Sequence, residues 1–77
     1  MREQPIIEYD VRTYDAQGEC QDVESFDSLH DATRYFDGIA LDDGITGVEL
    51  EKHTTRYTPR ESIYKSLKLK GDIHQND

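Results

Sequence analysis

The stretch FDSLHDATRYFDG, residues 26–38, decides the reading of this chain, because it has a legible start, a legible end and a legible inner face. Ser28 stands where a helix N-cap accepts a hydrogen bond. Asp31, three residues later, completes a capping box with a carboxylate in place of the usual Glu. Asp27 and Asp31 put negative charge at the positive end of the helix dipole. Leu29, Ala32 and Phe36 fall at i, i+3 and i+7, a stripe that can cover a sheet, with Tyr35 flanking it. Gly38 occupies the place of a left-handed C-terminal cap. The spacing predicts a helix over 28–37.

Upstream, Met1 to Pro5 reads as a frayed start, and Ile6 to Tyr14 then sets Ile7, Tyr9, Val11 and Thr13 against Glu8, Asp10 and Arg12. That period of two is a half-buried strand. Asp15 to Gly18 reads as a turn with Gly18 available for positive φ, and Glu19 to Phe26 resumes a more polar extended pattern. A β-hairpin therefore feeds directly into the helix.

Downstream, Ile39 to Leu41 could add one more helical turn, and Asp42-Asp-Gly44 is a turn signal. Gly47 to Tyr57 reads as a third strand that points Val48 and Leu50 inward. Thr58, Pro59 and Glu61 make a second helix-start signal. Ile63 and Leu67 would share a face, Lys65 to Lys70 would load the last turns with cations, and Gly71 would stop the helix. The competing reading of 59–70 is a fourth strand, because Ser62, Tyr64 and Ser66 alternate with Ile63, Lys65 and Leu67. Helix is the preferred reading. The predicted class is α+β: a small antiparallel sheet with one helix packed on one face, in the order β-β-α-β and then α or β. Residues 1–71 form the single domain and 72–77 a disordered tail.

Seventy-seven residues carry fifteen large aliphatic or phenylalanine side chains between Ile6 and Leu69, and five tyrosines. Such a core supports roughly 3–5 kcal/mol. The single Cys20 excludes an internal disulfide and reads as a small half-buried side chain, and no CxxC or CxxH spacing exists for zinc. No apolar run exceeds three residues, so neither a signal peptide nor a membrane span is expected, and the expected location is the cytoplasm.

The net charge of −8 is unevenly laid out. Residues 1–51 hold fourteen Asp and Glu against three Arg, a balance of −11, whereas residues 52–71 hold six Lys and Arg against Glu61, a balance of +5. Solubility explains this as readily as two opposite contact patches do.

No set of residues has the spacing of a catalytic site. Ser28, His30 and Asp31 are triad residue types, but adjacent helix positions point in different directions, and Ser28 reads as a cap. His53 reads as a surface or cross-strand residue. Asp37, Asp42, Asp43 and Glu49 fail the calcium-loop pattern, because Ile39 and Leu41 fill two ligand positions. No enzyme, cofactor or metal is expected. The chemistry that remains is binding. Glu8, Asp10, Asp22, Glu24, Asp27 and Asp31, with Tyr9, Tyr14 and Tyr35 among them, can form a negative face able to compete for a basic channel that holds DNA or RNA. The alternative surface is basic: Arg56, Arg60, Lys65 and Lys68, with Tyr57 and Tyr64 interleaved, could meet phosphates and stack on bases. The acidic field of the whole chain works against that. A third reading is a homodimer through a sheet edge or the helix stripe, since so small a core gains from one.

The run Phe26-Asp27-Ser28, the aromatic pair Tyr35-Phe36 and the pair Gly38-Ile39 resemble, at the same spacing, a segment of one of the small type I-F anti-CRISPR proteins, itself built as a sheet packed on helices. The likeness spans residues 26–39. The flanks do not correspond, so no binding residues carry over. More broadly the chain looks like the short, acidic, tyrosine-rich phage proteins that block host defences. What the resemblance implies is stoichiometric binding to a host protein or protein–nucleic-acid complex, without catalysis.

Overall fold

The computed structural model describes residues 5–56 and 61–72. Strand β1 (Ile6–Tyr14) and strand β2 (Cys20–Phe26) form the expected hairpin, followed by helix α1 (Leu29–Gly38) and strands β3 (Gly47–Arg56) and β4 (Glu61–Gly71). All pairings are antiparallel and the sheet order is β2-β1-β3-β4. Both β2 and β3 run against β1, so they are parallel to one another. Such a connection needs a crossover of a dozen or more residues. Helix α1 is that crossover, laid over one face of β1.

The β1–β2 turn closes because Asp15 uses both its backbone and its side chain. Its carbonyl accepts from the Gly18 N–H at 3.0 Å, and its Oδ1 accepts from the N–H groups of Gln17 and Glu19. Gly18 has the anticipated positive φ, 82°. Asp42 builds the second turn in the same way, with Oδ1 accepting from Gly44 at 2.8 Å and Ile45 at 2.7 Å.

The helix begins as the sequence indicates: the Ser28 hydroxyl accepts from the Asp31 N–H at 3.3 Å. Ala32 and Phe36 are fully buried against Val11, Val48 and Leu50, with Tyr9, Phe26, Ile39 and Ile45 around them. Ala32 lets the helix approach the sheet closely, and Phe36 fills the space beyond it. Leu29 departs from the expected stripe and is 45% exposed.

The helix stop corrects the expectation at Gly38. The described residues with positive φ are Gly18 and Gly71, so Gly38 is no left-handed cap. The helix ends with Ile39 in extended conformation (φ −81°), and no further helical turn follows over 39–41. Its terminal carbonyls are satisfied from β4: Lys70 Nζ donates to the carbonyl oxygens of Phe36 and Ile39, both at 2.6 Å.

The larger correction concerns the last element. Residues 61–71 are a strand, the reading held in reserve, and not a helix. Thr58, Pro59 and Arg60 of the helix-start signal lie outside the described residues. Pairing with β3 along the segment, interrupted only where Leu67 is left out, supplies it with ladder hydrogen bonds, whereas a helix here would bury only Ile63 and Leu67. Gly71 ends this strand with φ 75°, and a Cβ there would collide with the Thr46 carbonyl oxygen. At the first residue of the expected tail, the Asp72 N–H donates to the Thr46 carbonyl at 2.7 Å. Residues 73–77, and residues 1–4 of the segment expected to be a frayed start, lie outside the described residues. Among the described residues no helix is long and apolar enough to cross a membrane.

Candidate protein-binding surfaces

Side chains directly opposite in an antiparallel ladder point to the same face. The β1–β3 register therefore sorts the charged residues. Val11 pairs with Leu50, which puts odd positions of β1 and even positions of β3 beneath the helix. Glu8, Asp10, Arg12 and Tyr14 face away, beside His53, Glu51, Glu49 and Gly47.

That open face is a layer of mutually engaged polar groups. Arg12 Nε donates to Glu51 Oε1 at 2.6 Å, and the Tyr14 hydroxyl donates to Glu49 Oε1 at 3.1 Å. The Ser25 hydroxyl donates to Asp10 Oδ1 at 2.8 Å, and Asp10 is only 5% exposed. The hydrogen bond that Arg12 donates to Glu51 holds its guanidinium charged well above its ordinary range, against the opposing effect of partial burial. Burial, and then the bond to Glu49, push the Tyr14 phenol up to about 12. At the far end His53 stacks on its cross-strand neighbour Tyr64, with ring centroids 4.2 Å apart and planes 4° from parallel, and its Nε2 lies 3.3 Å from the Thr55 hydroxyl. His53 thus takes the cross-strand role expected of it.

The anticipated acidic face is split between two sides of the molecule. Glu8, Asp10 and Tyr14 lie on the open face, where Asp10 and Tyr14 are committed to internal hydrogen bonds. Tyr9 turns into the core beneath the helix. Asp22 and Glu24 project from the outer strand β2 on the helix side, since their ladder partners are Thr13 and Val11. Asp27 and Asp31 are exposed at the start of α1, and Tyr35, partly exposed, packs on Phe26 with ring centroids 5.3 Å apart. The structure therefore brings together Asp22, Glu24, Asp27, Asp31 and Tyr35 as one rim. Glu49 and Glu51 were missed as members of the acidic open face. Their alternation in Gly47-Val-Glu-Leu-Glu51 was visible, but only the register against Arg12 and Tyr14 assigns them partners. Cys20 is exposed, not half-buried, because its strand is the sheet's outer edge.

The basic segment lies on the opposite edge. Lys70 is engaged with the helix terminus, and Lys68 Nζ lies 3.3 Å from Asp37 Oδ1; both ammonium groups sit over the Phe36 ring, at 4.9 and 5.2 Å from its centroid. Arg56 and Lys65 are exposed, and Arg60 lies outside the described residues. The two outer strands thus carry opposite charge on the helix side.

Comparison with protein-family models, with curated proteins and with solved structures found no match.

Proposed function

We propose that this chain is a non-enzymatic, protein-binding inhibitor of phage or mobile-element origin. It covers a basic, nucleic-acid-binding surface of a host defence complex, in the host cytoplasm, with the rim formed by β2 and the start of α1. The observation that carries this reading is the grouping of Asp22, Glu24, Asp27 and Asp31 as exposed carboxylates along one outer strand and the adjoining helix start. Among the described residues the ion pairs are Arg12–Glu51 and Lys68–Asp37, which use none of the four. Carboxylates so placed attract a positive groove over long range and speed encounter. Tyr35 and the apolar Leu29 beside them add contact area that charge alone does not supply. The resemblance of segment 26–39 to a type I-F anti-CRISPR protein implies a defence complex as the target class, without assigning any rim residue to the contact.

The engagement of Lys68 and Lys70 with α1 weighs against the basic strand as a nucleic-acid surface, since both would have to leave the helix end to reach phosphates. The test is capture from host lysate by the tagged full chain, with and without nuclease. Retention of a nucleic-acid-processing complex after nuclease treatment, and its loss in the triple variant Asp22→Lys, Glu24→Lys, Asp31→Lys, is the expected result. Recovery of nucleic acid, with all protein lost on digestion, would reject the reading.

A further inference from the structure

Strand β4 is an outer strand whose residues 61–69 are all exposed. Its first half, Glu61 to Ser66, pairs with Arg56 to Glu51 of β3, whereas the hydrogen bonds from β4 side chains to the helix come from Lys68 and Lys70 in its second half. On the helix side this uncovered half presents Glu61, Ile63 and Lys65 against Arg56, Thr54 and Lys52. Ile63 is 43% exposed and Ile7, in the same row through Thr54, is 41% exposed. Lys52 and Lys65 stand directly opposite one another, a like-charge pair that costs stability unless a carboxylate approaches. The register slips between Leu50 and Glu51, leaving Leu67 as an extra residue, so the regular part of the edge stops just short of it.

An exposed, regular outer strand is a template for another strand, and its own side chains decide which one fits. We infer that β4 pairs antiparallel with β4 of a second copy about a two-fold axis through Ile63, joining the two sheets into one. In this register Ile63 meets Ile63 of the second copy, and Glu61 meets Lys65 of the second copy on both sides of the axis. The row Ile7, Thr54, Ile63 becomes continuous across the junction, and Glu61 brings a carboxylate to the Lys52–Lys65 pair. An axis through Lys65 would set that lysine against itself, and an axis through Tyr64 would set Ile63 against Lys65. The acid–base match thus selects one register. Lys65 could also face Glu24 on β2 of another copy, but that head-to-tail pairing does not close and would grow without limit. The symmetric pairing leaves both acidic β2 rims outward, and it stands independently of the proposed target.

Sedimentation equilibrium of the full chain tests this at low salt. The wild type is expected to dimerise, and Lys65→Glu or Glu61→Lys alone should weaken the dimer by roughly tenfold or more, since each places like charges at both symmetric contacts. The double variant E61K/K65E should restore it. Lys65→Glu turns the Lys52 pair into an attractive one within the monomer, so retention of the wild-type far-ultraviolet circular dichroism spectrum would separate lost pairing from lost fold. A wild type that stays monomeric, a dimer insensitive to either single swap, failure of the double swap to rescue, or growth beyond the dimer would each overturn the inference.

Discussion

Lys70, on the outer strand β4, donates a 2.6 Å hydrogen bond to the carbonyl oxygen of Phe36 in the last turn of α1. The same ammonium reaches the Ile39 carbonyl and lies over the Phe36 ring. One side chain therefore ties the far edge of the sheet to the helix terminus, and does so where helix geometry leaves carbonyls without partners. The spacing of Lys65 to Lys70 suggests cations in the last turns of a helix of their own; Lys70 instead complements the end of α1, across a tertiary contact.

Lys70→Met keeps much of the aliphatic stem and removes the donor. It is expected to destabilise the fold by about 1–3 kcal/mol, because two partly buried carbonyls lose a charged donor. Chemical denaturation of the variant against wild type measures this, and a difference near zero would show that water replaces the ammonium without cost.

Gly71→Ala should destabilise by about 1–3 kcal/mol. Its φ of 75° disfavours any L side chain, and a Cβ would strike the carbonyl of Thr46, which also accepts the Asp72 N–H. A thermal midpoint equal to wild type would show that the strand end relaxes freely.

Thr46→Val should be neutral or stabilising, by up to about 1 kcal/mol. Among the described residues the buried Thr46 hydroxyl has no hydrogen-bond partner, and valine keeps the β-branched shape without the unpaired oxygen. Clear destabilisation on denaturation would reveal a partner for that hydroxyl.

Tyr14 has a folded-state pKa raised from 10.0 to about 12, first by burial and then by the bond to Glu49. Folding thus favours the protonated phenol. This contribution is fully present below the unfolded-state pKa and is lost as pH rises towards the folded-state value. Wild type should therefore lose more stability than Tyr14→Phe between about pH 10 and 12. Unfolding free energies measured across that range decide it, and parallel curves for the two proteins would remove the shift.

The four early elements were legible because each is decided locally. The Ser28 cap, the Asp15 to Gly18 turn and the strict alternation of Ile6–Tyr14 are all satisfied by neighbours within a few residues. Residues 61–71 were misread because their local signals conflict: a helix-start motif precedes an alternating pattern, and alternation wins once β3 offers a full ladder. The acidic surface was legible in composition and illegible in layout. Asp10 and Asp22 both read as exposed carboxylates, yet Asp10 is buried beneath Ser25 while Asp22 stands on the outer edge. Nothing within a few residues of Asp10 distinguishes the two, since the difference lies in which strand acquires neighbours on both sides.

What the sequence determined by itself is the identity of β1 to β3 and α1, and the inward residues Val11, Ala32, Phe36, Val48 and Leu50, because capping, turn chemistry and periodicity act over short range. What only the tertiary structure decided is the strand order β2-β1-β3-β4, the extended state of 61–71, the tie from Lys70 to α1 and the division of the carboxylates between rim and open face. These follow from pairings between residues distant in the chain. Their register depends on which hydrogen-bonding edges and apolar faces are satisfied together, and no local window contains both partners.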